Sequence, residues 1–322
     1  MIPLDLNKAK DFLAKNQIRN CEIKQVAGDA SFRSYYRIFN ADKTFILMFA
    51  PPKYEDIRLF EKIAHFLLNS NFSAPKILAR SEESGFLLLE DFGDDTYGRI
   101  LKKSQNQEYK LYEKAIDVLL NLHEIKNFPN DILPYNNAVL FREVMLFVDW
   151  YLLLKGKKMS INEISEFKHL WFGLFDLLDK ENHVLVLRDY HADNLMFLPN
   201  RDGFQSVGLL DFQDALIGSI AYDLVSLLED ARRDIDCENQ EKLFNYYLKR
   251  SKTDIEKFQQ DYAILSLQRN IKIIGIFSRL SIRDKKHHYL ELLPRVLAFV
   301  EKRLNSENAI LKDIKVLLKN FL

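Results

Sequence analysis

Hydrophobic positions recur with different periods in the first ninety residues and in the rest of the chain. "SYYRIFN" (34–40) and "KTFILMFA" (43–50) are β-branched and aromatic runs joined through "NADK", a pattern that predicts a hairpin. "PPKYEDIRLFEKIAHFLLNSN" follows, with Ile57, Phe60, Ile63, Ala64 and Leu67 at helical spacing. "APKILARSEESGFLLLEDFGDD" predicts two more short strands around a polar turn. From Glu108 onward the period becomes helical in "EYKLYEKAIDVLLNLHEI", "FREVMLFVDWYLLLKG" and "NEISEFKHLWFGLFDLLDKEN", and beyond Tyr222 it continues almost to Leu322. Three short apolar runs interrupt it: "VLVL" (184–187), "NLMFL" (194–198) and "SVGLLDF" (206–212). The last two are joined by "PNRDGFQ", which has the composition of a turn. No internal repeat or low-complexity linker is visible. The pattern predicts an α+β chain with a small antiparallel β-rich lobe (1–91) and a larger, mostly helical lobe (92–322). Strand composition gives way to helix within "LLLEDFGDD" (87–95).

Composition narrows the classes of function. The chain has 322 residues, 48% of them hydrophobic and 29% charged, as expected of a globular protein with a large core. Lys plus Arg equals Asp plus Glu at 46 each, which argues against nucleic-acid binding by bulk electrostatics. Cys21 and Cys237 are too few for a disulfide framework, and no Cys/His cluster suggests zinc. The start, "MIPLDLNKAKDFLAKN", has no apolar signal region, and no stretch of about 18 apolar residues follows. A cytoplasmic protein without nucleic-acid or membrane partners is expected.

Candidate chemistry concentrates in residues 184–215, which hold five aspartates and two asparagines among the apolar runs. If the two strands flanking "PNRDGFQ" pair antiparallel, Asn194 lies opposite Asp211, with two oxygen-bearing side chains side by side at one end of the hairpin. Asp189, just after "VLVL", is close enough in sequence to join them. Oxygen-only ligands suit a hard cation such as Mg²⁺, which keeps waters and phosphate oxygens in its shell. Taken singly, the residues have plainer explanations: Asp189 and Asp193 as loop caps, Asn194 as a turn former.

The spacing Asp-x-x-x-x-Asn, then a hairpin, then Asp-Phe, resembles the catalytic apparatus of the protein-kinase-like superfamily. "LRDYHADNLM" and "LLDFQDALIGSIAYDLVSLLEDARRD" resemble its aminoglycoside phosphotransferase and choline kinase branch. Within that branch, "GDASFRSYYRI", "ILMFAPP", "FLLLEDFGDDTY" and "FVDWYL" are similar to the bacterial anomeric kinases of N-acetylmuramate and N-acetylglucosamine, which serve cell-wall recycling. The likeness runs from Gly28 to about Asp234. It implies a two-lobed protein-kinase-like fold, ATP and Mg²⁺ as cofactors, and an amino-sugar acceptor phosphorylated to the sugar 1-phosphate. By the same resemblance Asp189 matches the catalytic base, and Asn194 and Asp211 match the metal ligands. Gly28 and Ser31 match the nucleotide loop, and Glu90 and Asp91 the hinge whose backbone would hold adenine. Asp223 matches an acid that braces the catalytic loop, although a carboxylate at a helix N-terminus explains it equally well.

Three departures from the family pattern stand out. Leu187 occupies the usual histidine position before Arg188-Asp189, the nucleotide loop has a single glycine, and Met48 stands where a strand lysine should meet the phosphates. If Asn40 pairs with Lys43, Tyr35 faces Met48, and Arg33 and Arg37 share that face of the sheet. Arg37, and after it Arg33, is therefore expected to supply the missing positive charge. Glu55 or Glu61 would be the helix glutamate, though a charged helix face accounts for both. Asp149 and Trp150 are acceptor-site candidates, and Trp150 fits a core position as well. His191 would touch substrate or brace the loop. Alternatives are a kinase of the aminoglycoside or choline type acting on another hydroxyl, and a nucleotide-binding module without catalysis. The joint presence of Asp189, Asn194 and Asp211 argues against the last.

Overall fold

The computed structural model describes residues 3–28, 32–306 and 308–322. The chain divides into two compact units. One comprises residues up to Gln105 together with Asp193–Ala215; the other comprises Asn106–Ala192 and Leu216–Leu322.

The first unit is built on a five-stranded antiparallel sheet in the order β1-β2-β3-β5-β4. Its strands are β1 (Glu22–Gly28), β2 (Ser34–Asn40), β3 (Lys43–Phe49), β4 (Ile77–Ser81) and β5 (Phe86–Glu90). The β2–β3 hairpin has the anticipated register, with Asn40 opposite Lys43 and Tyr35 opposite Met48. Period two then sends Leu47, Phe86 and Leu88 to one face, where they join Phe12 and Leu13 of α1 (Leu6–Lys15) in a core. Met48, Leu87 and Leu89 point to the other face and are buried too, so β3 and β5 are covered on both sides. Helix α2 (Ile57–Asn69) buries Ile57, Phe60, Ile63, Ala64 and Leu67, the stripe expected from sequence, and is capped by Asp56. A short α3 (Tyr97–Lys103) follows. The same unit takes in the hairpin of β7 (Leu195–Phe197) and β8 (Val207–Leu209).

The second unit is mainly helical. Its helices are α4 (Glu108–His123), α5 (Asn137–Leu146), α6 (Leu152–Leu154), α7 (Ile161–Asp176), α8 (Tyr222–Leu228), α9 (Cys237–Arg250), α10 (Ile255–Ile282), α11 (Leu293–Leu304) and α12 (Lys312–Leu318). A two-stranded antiparallel ribbon joins β6 (His183–Val186) to β9 (Leu216–Ser219). Helix α10, 28 residues long, is packed by α5, α8 and α11 and is buried around most of its circumference. Its interior polar residues are therefore bonded: Asn270 donates to Glu229 at 2.6 Å and Gln268 to Glu143 at 3.1 Å.

The run "FREVMLFVDWYLLLKG" predicts one continuous helix, but the structure opens it into a π-helical turn at Phe147–Tyr151, between α5 and α6. The reason lies on α10. A Cβ at Gly275 would stand 2.3–2.5 Å from the carbonyl carbon and oxygen of Leu146 and the nitrogen of Phe147, so the two backbones meet where only glycine fits.

Replacing Gly275 by alanine should cost on the order of 3 kcal/mol, because this overlap outweighs the gain of roughly 1 kcal/mol that Ala brings to a helix interior. Gly173 in α7 meets nothing within 4 Å, so Gly173→Ala should instead stabilise by roughly 0.5–1 kcal/mol. Urea unfolding of the two variants beside the parent protein checks both signs.

Candidate active site

The loop after β6 carries Asp189, and its shape is imposed from α8. The N–H groups of Leu187 and Arg188 donate to Oδ2 and Oδ1 of Asp223 at 2.6 and 2.9 Å. Asp223, at the start of α8, is 1% exposed, and of its two anticipated explanations the loop brace is the one the geometry displays. Burial pushes its pKa up to about 7, while the two N–H donors pull the other way. Arg188 adopts a left-handed backbone (φ 71°), uncommon for a residue with a side chain. Its guanidinium is anchored on Glu143, which also receives Lys272 Nζ at 3.1 Å and the Tyr135 hydroxyl. Burial works against the charge on Lys272, yet Glu143 beside it raises its pKa above the ordinary lysine value. Tyr190 donates to the Ala115 carbonyl at 2.8 Å, and buried His191 accepts from Arg232 at 3.3 Å. Asp189 is thus held between two fixed neighbours, half-exposed itself.

In the first unit, the β7–β8 hairpin carries Asn194 and Asp211. Its register sets Leu195 opposite Leu209, so Asn194 faces Leu210, whose N–H donates to the Asn194 carbonyl at 3.0 Å. Asp211 lies one residue farther on than the sequence pairing predicts. The 3₁₀ turn Gly203–Ser206 inside the connection sets that offset, and Asp211 leaves the strand in a left-handed conformation (φ 56°). Gln213 donates to Asp211 Oδ1 at 2.8 Å, and Phe212 packs on Phe60 with ring centroids 4.9 Å apart. Asp193 rests its carboxylate where a Cβ at Gly98 would be, which explains the glycine in α3.

The hinge candidates are clamped. Asp91 and Asp94 receive the Arg37 guanidinium at 2.7 and 2.9 Å, and the Gly93 carbonyl accepts from it at 2.9 Å. Glu90 pairs with Arg201 at 2.6 Å. Arg201 also lies over the Phe92 ring, and Phe92 packs against the bare Cα of Gly208 in β8. Arg33, just before β2, lies by Asp211, Asp214 and Glu55 at 3.5, 3.8 and 3.9 Å. Gly28 ends β1 opposite Ser34; Ser31 lies outside the described residues. Glu61 pairs with Arg80 at 3.2 Å. Asp149 is exposed on the π-helical turn, and burial raises its pKa only from a partly covered position. No spacing along the chain points to Glu143, Arg201 or Lys272, because each acts through a partner distant in sequence.

Among the described residues, no three His, Cys, Asp or Glu side chains group to hold a metal unaided. An amide oxygen and one carboxylate fit a hard cation that takes its remaining ligands from phosphate and water. Among the described residues, no helix is long and apolar enough to cross a membrane.

These features define a class. Residues 22–260 match the phosphotransferase enzyme family, and the chain belongs to it. The enzyme is a phosphotransferase that uses ATP. Among its relatives, the N-acetylmuramate/N-acetylglucosamine kinase of Caulobacter vibrioides is 31% identical over 326 aligned positions, covering 90% of each chain. The protein of the same name from Pseudomonas aeruginosa is 35% identical, covering 88% of this chain and 84% of that one. The fold is that of the kinase-like phosphotransferases. An ADP-bound aminoglycoside phosphotransferase superposes with a TM-score of 0.62 at 16% identity, covering 93% of this chain and 99% of that one. A choline/ethanolamine kinase family protein from Mesorhizobium loti gives 0.65 at 12% identity, covering 97% and 100%.

Replacing Asp223 by alanine leaves two buried N–H groups without their acceptor, so stability should fall by about 3 kcal/mol and turnover by roughly 100-fold. Denaturation and steady-state kinetics on one preparation test this pair of effects. A pH prediction follows from His123 and His191, both held neutral by burial with pKa lowered to about 3. The unfolded chain takes up these two protons first, so each histidine costs stability as pH falls below about 6.5. Asp223, with its raised pKa, acts in the opposite sense between about pH 7 and 4. Two histidines against one aspartate leave a net loss of about 1.4 kcal/mol per pH unit from these groups, measurable by urea unfolding between pH 6.5 and 4.5.

Proposed function

We propose that the chain is an ATP- and Mg²⁺-dependent kinase that phosphorylates the anomeric hydroxyl of N-acetylmuramate and N-acetylglucosamine, giving the sugar 1-phosphate. The observation that carries this substrate choice is the likeness to kinases of that name across about nine-tenths of the chain at 31–35% identity. The aminoglycoside and choline kinases share its fold at only 12–16% identity, which supports the fold and not the acceptor. A cytoplasmic enzyme acting in peptidoglycan recycling is the setting this chemistry implies.

In this reading Asp189 orients the acceptor hydroxyl and accepts its proton. Its backbone is fixed by the pinned loop before it, so little reorganisation is needed during transfer. Asn194 Oδ1 and the Asp211 carboxylate are the residues that would hold Mg²⁺, which supplies charge neutralisation at the phosphates when bound. Gly28, with Ser31, would let the loop after β1 approach the nucleotide, and the backbone of Glu90 and Asp91 would take the adenine. Arg37 serves that end of the site by holding Asp91 and Asp94 in place. Phosphoryl transfer asks mainly for positioning and compensation of charge, which these residues are suited to provide.

ADP release with Mg²⁺-ATP against N-acetylmuramate, N-acetylglucosamine, glucose, choline and kanamycin tests the proposal, with phosphorus NMR locating the new phosphate. Turnover with the two N-acetyl sugars and an anomeric phosphate is expected, and Asp189→Asn should lower it by about 10²–10⁴-fold. Turnover confined to choline or kanamycin would refute the acceptor assignment.

A further inference from the structure

Kinases of this fold need a cation where the triphosphate lies, yet Met48 of β3 is uncharged and fully buried. The two arginines that flank Tyr35, the residue opposite Met48, are used differently. Arg37 is committed to the hinge, where Nη1 donates to Asp94 at 2.9 Å and Nη2 to Asp91 and the Gly93 carbonyl at 3.1 and 2.9 Å. Arg33 stands just before β2 with its side chain 9% exposed, and Asp211, Asp214 and Glu55 lie 3.5, 3.8 and 3.9 Å from its guanidinium. Burial opposes its charge, while Tyr35 and these carboxylates raise its pKa, so the guanidinium stays ionised. Three carboxylates around one guanidinium leave a formal excess of two negative charges beside the candidate metal ligand. A divalent cation at Asp211 cancels that excess. The guanidinium, with five donors in a planar fork, can then keep one carboxylate and donate to an anion.

We infer that Arg33 is the phosphate-binding cation of this enzyme, taking over from the chain before β2 the charge that Met48 cannot supply from β3. Arg33 precedes Tyr35, the residue opposite Met48, by two positions, about 7 Å along an extended chain, a span that an arginine side chain covers. The assignment makes Arg33 bifunctional. Without nucleotide it balances Asp211, Asp214 and Glu55; with nucleotide it faces the triphosphate. It rests on the kinase reading above and is tested independently of any acceptor.

The experiment is calorimetric titration of ATP and of adenosine, each with Mg²⁺ and with EDTA, into the parent protein, Arg33→Met, Arg33→Lys and Arg37→Met, with thermal unfolding as the folding control. Arg33→Met should weaken ATP binding by about 10- to 100-fold and leave adenosine binding within about twofold, collapsing the preference for the triphosphate. Arg33→Lys keeps the charge without the fork and should recover part of that preference. Arg37→Met should weaken ATP and adenosine alike, as expected of a residue that holds the hinge. An unchanged ATP-to-adenosine preference in folded Arg33→Met, or a collapse in Arg37→Met instead, would overturn the assignment. If the parent protein binds no ATP, the kinase reading itself falls, and this inference with it.

Discussion

A single buried carboxylate holds the loop that carries Asp189 in shape. Asp223 accepts from two successive backbone N–H groups, those of Leu187 and Arg188, and its burial makes the alternative of bonding to water inaccessible. The left-handed conformation of Arg188 is costly in isolation and persists because both ends of the residue are held. Its amide is on Asp223 and its guanidinium on Glu143, and Glu143 in turn balances Lys272. Asp189 inherits its position from this scaffold. Electrostatics, packing and chain direction thus converge on one turn, held by three helices of the second unit. Helix α10 supplies Lys272, α5 supplies Glu143 and α8 supplies Asp223.

The first unit follows a different principle, in which arginines compensate acids at short range. Arg37 closes the hinge on Asp91 and Asp94, Arg201 ties Glu90 to the hairpin, and Arg33 stands amid the carboxylates of Asp211, Asp214 and Glu55. A chain whose formal charges cancel overall therefore gathers three carboxylates around one arginine, beside the residue proposed to hold the metal.

How much of this was legible in the sequence depended on how local the determining interaction is. The β2–β3 register was readable because "NADK" fixes it within four residues, and with it the common face of Tyr35 and Arg37; Arg33 lies just before the strand. The stripe of α2 and the turn composition of "PNRDGFQ" were readable for the same reason. The pairing of Asn194 was missed by one residue, since the 3₁₀ turn at Gly203–Ser206 leaves no period to count. Strands β1 and β9 and helix α1 were not anticipated, although Leu6, Ala9, Phe12 and Leu13 of α1 stand at helical spacing. The π-helical turn in "FVDWY" was hidden because its cause, Gly275, sits on another helix. Of the site, the Asp189, Asn194 and Asp211 spacing was visible, whereas the partners that hold it, Glu143, Arg201 and Lys272, have no spacing to betray them.

The hairpin of β7 and β8 follows the Asp189 loop in sequence but packs with the strands of the first unit. Phe92 fills the space above Gly208, Arg201 bonds Glu90, and the Ser73 hydroxyl donates to the Gln205 carbonyl at 2.6 Å. Lobe exchange between relatives is usually planned with one cut at the hinge. In this chain such a chimera would separate Gly208 from its phenylalanine and Arg201 from its glutamate, placing each against a stranger's surface. A recombinant that carries residues 193–215 together with the first 105 would transplant the packed unit whole.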